Sequence, residues 1–155
     1  PLPAGSAPAR REHEAQRDLA GLRVLVAEDN AVNRMVIGGL LGRLSAQAHL
    51  VEDGLAAVAY VRSHPVDVVL MDLDMPELDG FGATRQIRTL PGPACKVPII
   101  ALTASVMASD KERCLEAGMN DHLAKPVDAK SLAEVIHTHV RERRSDPPPT
   151  RVLAI

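Results

Sequence analysis

The chain has 155 residues, 46% hydrophobic and 25% charged, the composition of one ordinary globular domain with short flanks. Aromatic residues make up only 1%, so the core must be aliphatic and stacking platforms for single-stranded nucleic acid are essentially absent. A formal net charge of -2 gives no bias toward nucleic acid or anionic membrane, and no apolar run approaches the ~20 residues of a membrane span.

Residues 1–21 open with Pro, Ala, Gly and Ser and then turn charged, which reads as a linker or the end of a preceding helix. No secretory signal is evident, and the start on Pro1 rather than Met suggests a piece of a longer protein. Leu22–Ala27 (LRVLVA) predicts a strand buried on both faces. Asn30 is placed to cap a helix whose apolar positions Val32, Val36, Ile37, Leu40, Leu41 and Leu44 recur at helical spacing. A weaker strand follows at Gln47–Val51, then a helix from Gly54 through Tyr60, a buried strand at Val66–Met71 and a helix at Gly80–Arg88. Pro91-Gly92-Pro93 separates these from a strand at Val97–Leu102. A helix near Ser109–Ala117, a Gly118 cap, a short strand at His122–Ala124 and a helix from Asp128 to Val140 complete the pattern. Beyond it, the basic cluster Arg141–Arg144 and three consecutive prolines are expected to end the helix, leaving 142–155 as a flexible Pro-rich tail and 22–141 as the domain.

Five strands alternating with five helices imply an α/β domain, a doubly wound five-stranded parallel sheet covered on both faces. Ligand chemistry in such a sheet belongs beyond the carboxyl ends of the strands. The unusual polar residues fall there. Glu28 and Asp29 follow the first strand, Asp72 the third, Thr103 the fourth, and Lys125 with Pro126 the fifth. Crowded carboxylates repel unless a cation sits among them, and an oxygen-only site suits a hard divalent ion, above all Mg²⁺. Lys125 adds a fixed positive charge and Thr103 a donor hydroxyl. The set suits phosphoryl transfer to a carboxylate by positioning and electrostatics, with Asp72, on the central strand, as the acceptor.

The other candidates have plainer readings. Cys95 and Cys114 lack metal-ligand spacing and read as incidental thiols. Asp53, Asp67, Asp79, Asp110 and Asp121 read as turn, cap or surface residues. His137 and His139, two apart on a helix, do not face each other, so a metal pair is disfavoured. The arginines at 141–144 read as a solvated helix end.

Four stretches, VLVAEDNAVNRMV (Val24–Val36), VVLMDLDMPELDGFGATRQIR (Val68–Arg88), VPIIALTA (Val97–Ala104) and GMNDHLAKPV (Gly118–Val127), together resemble the response-regulator receiver family. They occur in the family's order and intervals over roughly Leu22 to Val140, and EDN followed by Asn33 is most similar to receivers of hybrid histidine kinases. The resemblance implies a flavodoxin-like (βα)5 three-layer sandwich with Asp72 as phosphoacceptor. It implies Mg²⁺ bound by Asp29, Asp72 and the Asp74 carbonyl with Glu28 in support. Thr103 becomes the switch hydroxyl, Lys125 the ion-pair partner of the phosphoryl group, and Pro126 the residue after a cis peptide bond. The Asp74 side chain falls where receivers tune the lifetime of the phosphate. One position departs: receivers carry Tyr or Phe two residues before Ala124, and this chain has His122. Either the coupling through this smaller, titratable ring is weaker, pH-sensitive or rerouted, or His122 is a partly exposed residue with no switching role.

The resemblance therefore implies a two-component or phosphorelay module that takes its phosphoryl group from a phosphohistidine on a histidine kinase or phosphotransfer domain. Self-phosphorylation from small donors and self-dephosphorylation go with it, and of a stand-alone relay and a piece of a hybrid histidine kinase the latter is favoured. No DNA-binding output, nucleic acid or direct membrane contact is expected. A dimer through the last helices is left open, and the location is expected to be cytoplasmic, as the inner part of a membrane-anchored sensor. Two alternatives stand beside this. A haloacid-dehalogenase-type phosphatase would use Asp72-Leu73-Asp74 as its DxD motif, but it needs a further acidic pair after the lysine. A pseudo-receiver docking domain would have no reason to retain all five polar residues.

Overall fold

Short β-branched runs separated by amphipathic stretches fold here as strands and helices in strict alternation. The computed structural model describes residues 19–75, 77–104 and 108–145, with the backbone alone at 108–110 and 142–145. The elements are β1 (Arg23–Ala27), α1 (Ala31–Arg43), β2 (Gln47–Val51), α2 (Gly54–Ser63), β3 (Val68–Asp72), α3 (Gly80–Arg88), β4 (Ile99–Thr103), α4 (Ala108–Ala117), β5 (Asp121–Ala124) and α5 (Ala129–Ser145). A 3₁₀ turn at Gly92–Lys96 joins α3 to β4. The strands form one parallel sheet in the order β2-β1-β3-β4-β5, the flavodoxin-like arrangement that the sequence implied.

Every residue of β3 and β4 is buried, because helices lie on both faces of the sheet. Alternate strand residues supply two separate cores. Val69, Met71, Ile99 and Ala101 pack with Val58 and Val61 of α2, Phe81 and Ile87 of α3, and Cys114 of α4. Val68, Leu70, Ile100 and Leu102 pack with Ile37 and Leu41 of α1 and Leu132, Ile136 and Val140 of α5. Asn30, Asp53 and Asp79 cap α1, α2 and α3, accepting from the N–H groups of Asn33 (3.0 Å), Ala56 (2.8 Å) and Gly82 (2.8 Å). Asp67 pairs with Arg23 and Asp121 with His139, so these residues have the cap and surface roles read from the sequence. The Asp110 side chain lies outside the described residues.

Three features differ from the sequence reading. The last helix continues through the basic cluster to Ser145, since Arg and Glu are good helix formers and the first proline comes only at 147. Leu19, in the stretch read as linker, is fully buried in the core that α1 and α5 share. Val32 and Val36, read as apolar positions of α1, are 67% and 51% exposed, because Ile37, Leu41 and Leu44, with the partly buried Leu40, supply its inward face. The N-terminal part of the linker and the Pro-rich tail from residue 146 lie outside the described residues. Among those described, no helix is long and apolar enough to cross a membrane.

Candidate functional site

After β1 the chain turns one way to β2 and later crosses to β3 on the other side, so a crevice opens between the carboxyl ends of β1 and β3. Glu28 and Asp29 leave β1 into that crevice, and Asp72 is the last residue of β3. One oxygen from each of the three carboxylates lies within 4.8 Å of the others. Glu28 is fully buried and Asp72 is 4% exposed, whereas Asp29 is exposed.

Lys125, reaching over from the loop after β5, places Nζ 2.8 Å from Glu28 Oε2 and 3.1 Å from Asp72 Oδ1. Its backbone N–H donates to the Thr103 carbonyl (2.8 Å), which ties the two residues beyond adjacent strands. The Lys125–Pro126 peptide bond is cis. Thr103 ends β4 and is buried, opposite Ala124 in the sheet register. The Asp74 N–H donates to Asp72 Oδ1 (3.3 Å), so the loop after β3 curls back over the acidic residue. His122 sits on β5 opposite Ala101, one strand beyond Thr103, with its ring partly exposed beside Asp121.

Charge in this cluster is strongly coupled. Burial raises the Asp72 carboxyl, Lys125 opposes that, and the neighbouring Glu28 charge raises it further, leaving it at about 6. Burial also acts on Glu28, but Lys125 and the Asn30 N–H (3.2 Å) outweigh it and hold this carboxyl below its ordinary value. Burial works against the Lys125 ammonium, yet the two carboxylates keep its pKa raised. One cation thus serves two buried anions, and among the described residues Glu28 Oε2 has no hydrogen bond beyond its ion pair with Lys125. An all-oxygen donor set with surplus negative charge fits a hard divalent cation.

The response regulator receiver domain model matches residues 24–137. The chain belongs to this family. Among relatives of the receiver domain, the sensor histidine kinase GacS of Pseudomonas protegens is 38% identical over 130 residues, 83% of this chain but 14% of that protein. The chain thus spans about one seventh of the curated relative it matches. Among solved structures, the receiver domain of sensor histidine kinase PA1611 from Pseudomonas aeruginosa, with a magnesium ion coordinated in its active-site cleft, is 43% identical. The match covers 79% of this chain and 99% of that one, with a TM-score of 0.73. The receiver domain of Saccharomyces cerevisiae Ssk1, solved with the histidine phosphotransfer protein Ypd1, is 31% identical over 81% of this chain and 92% of that one, at a TM-score of 0.72. A receiver domain homologous to those of hybrid sensor kinases leaves the dehalogenase-type phosphatase without support.

Sequence reasoning overlooked one side chain near the crevice. Arg34, one turn into α1, donates through Nη1 to the carbonyls of both Glu28 (2.8 Å) and Asp29 (2.9 Å), and through Nη2 to Glu52 (3.4 Å). Its signal lay within the EDNAVNR segment, four residues after the Asn30 cap, but a lone arginine on a helix reads as surface.

Proposed function

We propose that this receiver domain accepts a phosphoryl group on Asp72 from a phosphohistidine of a partner protein and holds it as an acyl phosphate. The convergence of Glu28, Asp29, Asp72 and Lys125 on one point at the end of a buried strand carries this reading. An Asp72 oxygen attacks phosphorus, the phosphorus–nitrogen bond to the partner's imidazole breaks, and the imidazole leaves with the electron pair. Hydrolysis later returns phosphate and the free carboxylate. Asp29, Asp72 and the Asp74 carbonyl are the residues that would hold Mg²⁺, supported by Glu28. When bound, the ion neutralises charge on the transferring oxygens. Lys125 supplies the second positive charge, and transfer gives it a phosphoryl oxygen to pair with. Thr103 donates its hydroxyl to the phosphoryl group, shifting the population of conformations at the face formed by α4, β5 and α5, where His122 takes the usual aromatic position.

The donor must approach the carboxyl edge of the sheet. Val32, Met35 and Val36, which are 67%, 73% and 51% exposed, form an apolar surface on the first turns of α1, directly after the Asp29 loop. A phosphohistidine-bearing helical domain resting there would bring its imidazole to Asp72. The similarity to hybrid sensor kinases supports such a kinase as the parent protein, in which this domain would lie on the cytoplasmic side. Transfer of labelled phosphate from a small acyl-phosphate donor with Mg²⁺ tests the reading. Wild type takes label and Asp72→Ala does not; equal labelling, or none in wild type, rejects it.

A further inference from the structure

We propose that Arg34 is a positioning residue that fixes the backbone of the acidic pair so that its carboxylates face the cation site. This rests on the receiver reading above and extends it to a residue outside the crevice. The Glu28 N–H donates to the Val51 carbonyl at the end of β2 (3.1 Å), which anchors the segment on one side. On the other side the strand has ended, and the Glu28 and Asp29 carbonyls have left the sheet ladder. A single guanidinium nitrogen takes both, at 2.8 and 2.9 Å. Unfilled, these carbonyls would be free to turn toward the crevice or toward water.

The second bond has a consequence across the peptide plane. In a trans peptide the C=O and the following N–H point in opposite directions. Drawing the Asp29 carbonyl onto Arg34 therefore turns the Asn30 N–H the other way, and that N–H donates to Glu28 Oε1 at 3.2 Å. The adjoining Asn33 amide nitrogen lies 3.5 Å from the same oxygen. Arg34 thus acts at one remove: guanidinium to carbonyl, peptide plane to N–H, N–H to carboxylate. It adds positive charge beside the acidic pair without consuming a carboxylate oxygen, so all three side chains stay available to a metal. Its contact with Glu52 is secondary, since Glu52 is 78% exposed. Lysine can reproduce the arrangement only in part: its ammonium has N–H groups for two carbonyls, but it sits one bond nearer the backbone and has no second nitrogen to reach Glu52.

The test is Mg²⁺ affinity by isothermal titration calorimetry on the full chain, with thermal unfolding monitored in parallel. Wild type, Asp29→Asn, Arg34→Gln, Arg34→Lys and Glu52→Gln are compared. Outer-sphere partners of metal ligands typically control about 10- to 100-fold of affinity. Arg34→Gln should weaken Mg²⁺ binding by about tenfold or more at temperatures where it is folded, Arg34→Lys should recover only part, and Glu52→Gln should bind as wild type. Wild-type affinity in Arg34→Gln, or an equal loss in Glu52→Gln, overturns the proposal while the site reading stands, provided Asp29→Asn abolishes binding. Absence of Mg²⁺ binding in wild type overturns both. If Arg34→Gln does not fold, Arg34→Lys decides: weakened binding supports the role and unchanged binding rejects it.

Discussion

A carboxylate at the end of a strand buried on both faces works against the fold that contains it. Asp72 is 4% exposed, and burial together with the Glu28 charge holds its carboxyl at about 6, above the ordinary 3.8, in spite of Lys125. The folded state therefore binds the proton more tightly than the unfolded chain. Stability is greatest where Asp72 is protonated in both states, falls as pH rises from about 4 to about 6, and is constant above. Without divalent cation, Asp72→Asn should accordingly raise the unfolding midpoint at about pH 7.5, by a gain on the order of 1–3 kcal/mol, with the gap narrowing by pH 5 and closing near pH 4. Thermal melts at these pH values check it; a variant less stable than wild type at neutral pH contradicts the reading. Millimolar Mg²⁺ should raise the wild-type midpoint by binding the folded state, chelator should reverse the rise, and Asp72→Asn should show little of it. The acidic residues themselves were legible in the sequence, because each ends an apolar run. The bridging of Glu28 and Asp72 by one lysine was not, because it depends on how far a flexible side chain reaches across two strands.

At the scale of elements, the site depends on how closely α3 approaches the end of β3. A methyl group on Gly80 would run into the Asp72 carbonyl oxygen and the Leu73 Cα, both backbone atoms that cannot swing aside. Gly80→Ala should cost about 1–3 kcal/mol and weaken Mg²⁺ binding through displacement of the Asp72–Asp74 backbone. Gly39, within α1, has open space where its Cβ would lie, so Gly39→Ala should stabilise by about 0.5–1 kcal/mol. Chemical denaturation of both variants measures the contrast; the same sign for the two would overturn the packing account. Helical spacing was enough to place α1 and its Asn30 cap, yet it could not say which apolar stripe faces inward. Val32 and Val36 recur at the same interval as Ile37, Leu41 and Leu44, and only the position of β1 distinguishes them. The tail of α5 was hidden for a related reason: charge clusters and prolines were read together, although only the prolines stop a helix.

For the whole molecule, the strand order puts every site residue on one edge, so a donor protein has a restricted approach. The exposed valines and Met35 of α1 lie beside it. Met35→Glu should leave labelling from a small acyl-phosphate donor near wild type and reduce transfer from a phosphohistidine domain by about tenfold or more. Equal transfer rates for the two proteins would remove α1 from the docking surface. The fold class was recoverable from alternation alone, because short apolar runs recur at regular intervals with a helix-length segment after each. The inclusion of Leu19 was not, since a single leucine in a polar stretch carries no periodic signal.

The sharing of one core by α1 and α5 also sets an order on synthesis. Within this domain α1 leaves the ribosome before α5, and until Leu132, Ile136 and Val140 arrive, Leu70, Ile100 and Leu102 lack the cover that α5 gives them. The other face, roofed by α2, α3 and α4, can close beforehand. A nascent chain paused before α5 therefore presents a sheet covered on one side and apolar on the other, the kind of surface that chaperones bind.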